Sequence, residues 1–146
     1  MATLVDHRKA RFEYEILEQY EAGIELLGFE VKALKAKKAS LDGAYVLIAG
    51  GEAMLQNMLI SPYQEKNTPK DYEPRRHRRL ILSKDELRKL SHIDKGLTIV
   101  PLSAYTKGNL IKISVAVVRG KKKYDKRESI KKREADREMG RVMRDR

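Results

Sequence analysis

The sequence predicts a mainly β fold, a closed or partly open antiparallel β-barrel with about three short helices, followed by a basic C-terminal tail. Apolar and polar residues alternate with period two through residues 12–26 and again through 110–118, as half-buried strands do. Helical spacing is confined to short stretches, and basic residues concentrate after residue 119. We therefore divide the 146-residue chain into a body, residues 1–119, and a tail, residues 120–146.

The first long strand is predicted at residues 12–26, where most apolar side chains fall on even positions. Leu17 and Glu18 interrupt the alternation, and Gly23 allows a bend or a bulge. A long bent strand is a common start to a small barrel. The basic lead-in before this strand, residues 1–11, is predicted to be mobile.

Two short helices are predicted in the body. Residues 28–36 take up a helical period and contain good helix formers. Ser83 and Glu86 have the spacing of a capping box, and the apolar stripe that follows predicts a helix ended by Gly96. Further helical potential, weaker than in these two segments, is found in the tail.

The remaining strands of the body are marked by apolar runs between turn signals. These strands are predicted at residues 44–48, 53–60, 97–105 and 110–118. The glycine pair at 50–51 predicts a hairpin turn, because adjacent glycines adopt positive φ readily. Residues 61–74 form a long loop, and Pro101 predicts a sheet edge or a bulge.

Most of the positive charge lies in the tail. From Arg119 to Arg146 there are 13 Lys and Arg against 6 Asp and Glu, which accounts for +7 of the net charge of +11. Like-charged neighbours make an isolated helix there marginal in water, so we predict a tail that is disordered alone. We expect it to fold as a helix where phosphates cancel its charge. The predicted partner is a polyanion such as RNA, because neutralised phosphates release counterions.

Two features of the body allow a structural and a functional interpretation. Glu30, in the first turn of its predicted helix, compensates the helix dipole or contacts a base or sugar, and its position alone favours the dipole. The segment Arg75–Arg79 holds four arginines in five residues. It is a solvated face or an anion site, because guanidinium groups so close together repel one another unless an anion lies nearby. Lys112 alone has the pattern of an ordinary surface lysine.

Several classes of function lack their residues in this sequence. The chain has no Cys, its three His lack metal-ligand spacing, and no nucleophile motif or phosphate-cradling glycine loop is present. No apolar run is long enough to span a membrane, and the first residues lack the apolar core of a signal peptide. We therefore expect a cytoplasmic, non-enzymatic RNA-binding protein without cofactor or metal. An oligonucleotide-binding barrel presents a sheet face and loops suited to RNA.

Short motifs spread along nearly the whole chain carry a resemblance to a known family. They lie at 8–11 (RKAR), 14–17 (YEIL), 20–24 (YEAGI), 28–34 (GFEVKAL), 45–46 (YV), 51–53 (GEA), 60–63 (ISPY), 79–82 (RLIL), 95–102 (KGLTIVPL) and 120–127 (GKKKYDKR). Each motif is short, but their order and spacing together are specific. The chain resembles the SsrA-binding proteins, also called small protein B, which are the partners of tmRNA in bacterial trans-translation.

The resemblance implies an oligonucleotide-binding-type barrel that holds the D-loop and elbow of the tRNA-like domain of tmRNA. The protein would stand where a tRNA has its anticodon arm. The implied tmRNA-binding residues of the body are Glu30, Lys32, Ile81, Ser83, Lys112, Arg75 and Arg78. For Glu30 the resemblance moves the interpretation toward RNA contact, because a carboxylate can accept hydrogen bonds from a base edge.

The resemblance also implies a role for the tail. It would enter the empty decoding centre and mRNA channel of a stalled ribosome and fold along small-subunit ribosomal RNA, where Tyr124 would stack on a base. The implied contact residues are Lys121, Lys122, Tyr124, Asp125, Lys126, Arg127, Ile130, Lys131 and Arg133. The expected partners are thus tmRNA and the ribosome, bound by a monomeric protein that needs no membrane.

Four positions depart from the family pattern. His7 stands in place of the usual Asn, Ser83 in place of His or Asn, and Thr106 in place of an aromatic. Ala135 lies where some members have Trp. We expect a less ordered hairpin around Thr106. Two other functions remain open at this point: a constitutive ribosome-associated or ribosome-assembly protein, and a nuclease, against which the missing metal-ligand clusters argue.

Overall fold

The computed structural model of the chain describes residues 2–64, 66 and 68–120. Residues 121–146 of the tail, and every prediction made for them, lie outside these described residues. Within them the chain forms nine strands and three short helices. The elements are β1 (Ala2–Asp6), α1 (Arg8–Glu13), β2 (Tyr14–Ile24), α2 (Gly28–Lys35), β3 (Ala39–Ser40), β4 (Tyr45–Ala49), β5 (Glu52–Gln56), β6 (Leu59–Ile60), β7 (Arg78–Ile81), α3 (Lys84–Ser91), β8 (Leu97–Lys107) and β9 (Leu110–Gly120).

Seven strands form one antiparallel sheet in the order β1-β8-β9-β2-β7-β5-β4, and β3 pairs with β6 separately. Strands β1 and β4 are the two ends of the sheet, and β4 lies against β8 without completing the ladder. The sheet is therefore strongly curved but not closed. The predicted mainly β, antiparallel, partly open architecture with three short helices is confirmed.

A bulge in β2 gives the sheet two apolar faces. Ile16 pairs with Val118, whereas Glu18 pairs with Val117, so Leu17 is the extra residue. The bulge reverses which side of the sheet the even-numbered residues face. Before it, Ile16 packs with α1 on the outer face, and after it Ala22 belongs to the main core inside the curved sheet. The local break in the alternation therefore marks a real change of face.

The first residues differ from the prediction. The expected mobile lead-in is a strand and a helix, because β1 pairs with the edge of β8 and α1 buries Ala10 against the outer face. His7 between them is buried, and its Nδ1 hydrogen-bonds the carbonyl of Pro101 at 2.8 Å. Leu4 is buried in the main core. The basic residues of this segment had suggested solvation, but they occupy only the outward side of α1.

Other element predictions are confirmed in part. Gly50 and Gly51 form the predicted hairpin turn with φ of 59° and 75°. The single strand predicted at 53–60 is divided at Asn57, whose φ of 65° cannot continue a strand. The ladder shifts beside Pro101, as the predicted bulge requires. Thr106 lies within β8 and pairs with Ile111, so the loosening expected there is not found.

Candidate nucleic-acid interface

A shallow hollow opens on the outer face of the sheet where β2, β7 and β9 run side by side. Gly23 of β2 pairs with Ile81 of β7 on one side and with Lys112 of β9 on the other. The hollow has a volume of about 310 Å³. We call it the Gly23 hollow and define it by Gly23, Leu26, Val31, Ile81, Leu110 and Lys112.

The hollow exists because of the glycine. A Cβ atom added at Gly23 would lie 3.3 Å from the Cβ of Ile81, which is tighter than an ordinary contact. Ile81 is 56% exposed and Leu110 is 60% exposed, although both belong to regular strands. Exposed apolar side chains beside a lysine ammonium can contact the base or sugar of a nucleotide while the ammonium binds its phosphate. Ile81 and Lys112, both predicted to bind tmRNA, thus lie together in this hollow.

Glu21 provides a carboxylate beside this hollow. It lies two positions before Gly23 and therefore on the same face of β2. The Tyr105 hydroxyl donates to its Oε2 at 2.5 Å, and Lys107 donates to its Oε1 at 3.0 Å. The hydrogen bond from Tyr105 and then that from Lys107 lower the pKa of Glu21. No sequence pattern distinguishes this acid from the others on the polar face of β2 as the one that lies near Lys112.

Glu30 lies in a different setting, fully buried between α2 and β7. The guanidinium of Arg78, also fully buried, donates to Oε2 from Nη2 at 2.6 Å and from Nε at 2.8 Å. Arg76 donates to Oε1 at 2.5 Å, and the Tyr72 hydroxyl donates to Oε2 at 2.9 Å. The Leu27 N–H donates to Oε1 at 2.8 Å, which is the capping contact of α2. We call these residues the Glu30 cluster.

The carboxylate of Glu30 stays ionised although it is buried. Burial alone would raise the pKa of Glu30, but hydrogen bonds from Arg76, the Leu27 N–H and Arg78 outweigh burial and hold that pKa below its ordinary value. Burial, and then the hydrogen bond to Glu30, raise the pKa of Tyr72 to about 12. The carboxylate is therefore ionised and the phenol neutral at physiological pH.

The Glu30 cluster shows what neutralises much of the charge of the Arg75–Arg79 segment. The carboxylate of Glu30, inside the protein, pairs with the guanidinium groups of Arg76 and Arg78. Arg79 pairs instead with Glu25 at 3.3 Å on the surface, and Arg75 donates to the Asn57 side-chain oxygen at 3.2 Å. Direct RNA contact had been predicted for both Glu30 and Arg78. In this structure both side chains are fully buried, and Glu30 accepts the hydrogen bond from the Leu27 N–H that caps α2.

The other predicted body residues lie apart from the Gly23 hollow. Ser83 caps α3, as the sequence predicted: its Oγ accepts from the Glu86 N–H at 3.2 Å, and its N–H donates to Glu86 Oε1 at 3.1 Å. Lys32 is exposed on α2 and lines a second hollow. We call it the Tyr63 hollow and define it by Gly28, Phe29, Lys32, Tyr63 and Gln64.

The tail begins at the opposite end of the strands that form the Gly23 hollow. Tyr14 pairs with Gly120, nine ladder positions along β2 from Gly23. At about 3.3 Å per residue this separation is on the order of 30 Å. The hollow and the start of the basic tail thus lie at opposite ends of the same strand pair.

The described part of the chain lacks two kinds of feature. No helix there is long and apolar enough to cross a membrane. Residues 2–64, 66 and 68–120 also contain no group of three or more His, Asp or Glu that could hold a metal ion.

An open antiparallel sheet that exposes apolar and lysine side chains at one end, in a chain with a net charge of +11, has the features of a small nucleic-acid-binding β domain. Comparison with known protein families identifies which family this domain belongs to. The model of the SmpB protein family matches residues 4–145, and the chain belongs to that family.

Curated relatives match over nearly their full length. The chain is 52% identical over 140 residues to the SsrA-binding protein of Chlorobaculum tepidum, with 94% of this chain and 88% of the relative covered. It is 51% identical over 143 residues to the SsrA-binding protein of Gloeobacter violaceus, with 97% and 93% covered. For that of Microcystis aeruginosa the identity is 49% over 142 residues, with 96% and 92% covered.

A solved structure has the same fold. Its chain is 41% identical and superposes with a TM-score of 0.67, over 86% of this chain and 92% of the other. It comes from work described as "tmRNA-SmpB: a journey to the center of the bacterial ribosome". The resemblance drawn from the sequence motifs is therefore confirmed at the level of family and fold.

Proposed function

We propose that this chain is an RNA-binding adaptor that binds the tRNA-like domain of tmRNA and delivers it to stalled ribosomes for trans-translation. The observation that carries this proposal is the family match over residues 4–145, which includes both body and tail. Relatives named SsrA-binding proteins, about half identical over nearly their whole length, support it.

Within the body, the Gly23 hollow is the proposed tmRNA interface. Ile81 would pack against a base or ribose, Lys112 would bind a phosphate, and Glu21 would accept a hydrogen bond from a base edge. Phosphate contacts fix the position of an RNA, whereas base and sugar contacts make it specific. The hollow supplies both kinds within one small area.

The remaining predicted body residues receive different roles in the proposal. Glu30 and Arg78 act from inside, because their pairing fixes α2 against β7 and so sets the distance between Val31 and Ile81. Lys32 and Arg75 are exposed and would add phosphate contacts outside the Gly23 hollow. Ser83 would act through its cap, which positions the start of α3 directly after Ile81 and Leu82.

For the tail we propose the role that the family resemblance implies. Residues 120–146 would occupy the decoding centre and the mRNA channel, with Tyr124 stacked on ribosomal RNA and the lysines and arginines on phosphates. An mRNA in that channel would compete for the same groove, so only an empty ribosome would accept the complex. Because the tail begins at the opposite end of β2 and β9 from the hollow, both RNAs could be held at once.

The protein itself would catalyse no chemical step. It would act in the cytoplasm as a monomer. Binding and positioning suffice, since the tagging reaction would be carried out by the ribosome on alanyl-tmRNA.

Removing residues 120–146 tests the division between body and tail. We expect the truncated protein to bind tmRNA like the full chain but to support no tagging of a nascent chain on a message without a stop codon. Tagging is measured by the size and tag content of the translation product. Tagging by the truncated protein would contradict the proposal. Stoichiometric co-purification of the full chain with ribosomal subunits from cells lacking tmRNA would favour a constitutive ribosomal protein instead.

A further inference from the structure

The Tyr63 hollow lies beside α2 and is separate from the Gly23 hollow. Helix α2 contributes Val31 to the Gly23 hollow and contributes Gly28, Phe29 and Lys32 to the Tyr63 hollow. The Tyr63 hollow has a volume of about 430 Å³. This lies in the range of roughly 300–1,000 Å³ that is usual for ligand sites.

The lysines around this hollow have no acidic partner among the residues that the structure describes. Residues 31–41 contain four lysines and no acid, and all four lysines are exposed. In the described part of the chain, six arginines and Lys107 form ion pairs with acids. None of Lys32, Lys35 and Lys38 forms such a pair with a described residue. Their excess charge would attract an anionic ligand.

The hollow also has an exposed aromatic ring. Tyr63 is 40% exposed, and the Nζ of Lys38 lies 5.7 Å from the centre of its ring. The Ser61 N–H donates to the Lys38 carbonyl at 2.9 Å, which fixes the segment carrying Tyr63 beside the lysine. Phe29, which also lines the hollow, is held edge-on against Tyr72, with ring centres 4.7 Å apart. The Glu30 cluster in turn holds Tyr72, so these walls are tied to the core.

We propose that the Tyr63 hollow binds one unpaired nucleotide of an RNA, with its base against the Tyr63 ring and its phosphates beside Lys32 and Lys38. An unstacked base gains from an aromatic side chain whatever its identity, and the adjacent ammonium groups match its flanking phosphates. An acidic peptide would use the lysines but would leave the ring without a stacking partner, which is why RNA is the better match. The inference rests on the proposed function only in taking RNA as the partner.

Photochemical crosslinking of the full-length protein tests this site. The probe is a short single-stranded RNA made of 5-bromouridine, and crosslinked tyrosines are identified by mass spectrometry of the digested protein. Tyr45 is an internal control, because it is also 40% exposed but lies on β4 among apolar and hydroxyl side chains. We compare the unchanged protein with the double variant Lys32→Gln, Lys38→Gln and with Lys95→Gln, which removes one exposed lysine before β8.

We expect Tyr63 to crosslink about fivefold or more above Tyr45, which corresponds to the lower end of base–aromatic stacking. The double variant should bring Tyr63 down to the yield of Tyr45, and Lys95→Gln should leave it unchanged. Equal yields at the two tyrosines in the unchanged protein, or an unchanged Tyr63 yield in the double variant, would overturn the proposal. An equal loss of Tyr63 crosslinking in Lys95→Gln would also overturn the proposal, since the RNA would then bind without preference for the Tyr63 hollow.

A parallel measurement separates this inference from the proposed function. Binding of the tRNA-like domain of tmRNA is measured for the Ile81→Asp variant, which alters only the Gly23 hollow. If Ile81→Asp weakens that binding while Tyr63 fails to crosslink, the inference about the Tyr63 hollow is wrong and the proposed function stands. If neither effect is seen, both are wrong.

Discussion

Gly23 is the residue on which the proposed tmRNA interface most directly depends. Its missing side chain leaves the space between Ile81 and Lys112, and a branched side chain there would press on Ile81 and fill the hollow. We predict that Gly23→Val weakens binding of the tRNA-like domain about tenfold or more, because the apolar contact with Ile81 is lost. Binding is measured by titration at fixed salt.

Gln19→Val is the matched control for this variant. Gln19 lies on the same strand and the same face as Gly23, is exposed, and pairs with Ala116 away from the hollow. We expect it to leave the affinity within about twofold, since a surface substitution costs at most about 0.5 kcal/mol. If Gly23→Val and Gln19→Val gave equal affinities, the RNA would not use the Gly23 hollow.

At the scale of elements, the Glu30 cluster joins three parts of the chain that are distant in sequence. Glu30 and Arg78 are 48 positions apart, and Tyr72 comes from the loop between β6 and β7. Arg78 also donates to the carbonyls of Met58 and Pro74 at 2.7 and 3.0 Å. One guanidinium therefore holds α2, β7 and the long loop together.

We predict that Arg78→Met destabilises the protein by about 3–5 kcal/mol, because it leaves the buried carboxylate of Glu30 with fewer partners. The measurement is the free energy of unfolding in urea. Arg88→Met is the control: its ion pair with Asp85 on α3 is exposed at 3.9 Å and should contribute no more than about 0.5 kcal/mol. Equal losses in the two variants would show that the cluster contributes no special stability.

Elements with a local signal could be predicted from the sequence, and those that depend on distant partners could not. The capping box at Ser83 and the turn at Gly50 and Gly51 are set by neighbouring residues and are present as predicted. The alternation at 12–26 also marks a strand, but β2 covers only Tyr14–Ile24 and its even-numbered residues change face at the bulge. Strand β1 exists because the edge of β8, about a hundred positions away, needs a partner. The charges of its neighbouring helix gave no indication of that pairing.

The same distinction applies to the candidate site. Ile81 and Lys112 were identified through the family resemblance, and the sheet places them on either side of Gly23. Glu30 and Glu21 could not be distinguished from sequence, because burial decides between them and burial depends on the packing of α2 against β7. The carboxylate expected at the surface is inside, and another one stands near the hollow.

At the scale of the whole molecule, charge and shape are divided between two ends. The body presents a small, built surface at one end of β2 and β9, and the tail with most of the net charge begins at the other. A specific reader requires fixed geometry, whereas a channel-filling segment requires charge and length. The central claim is therefore that specificity for tmRNA belongs to the body alone.

The most direct test is to measure binding to tmRNA and to an unrelated RNA of equal length across a salt series, for the full chain and for residues 1–119. We predict that tmRNA binds about a thousandfold or more tightly at physiological salt, and that the truncated protein keeps this ratio. Equal binding of the two RNAs, with affinity that collapses as salt rises, would contradict the account, because the protein would then be a non-specific polycation.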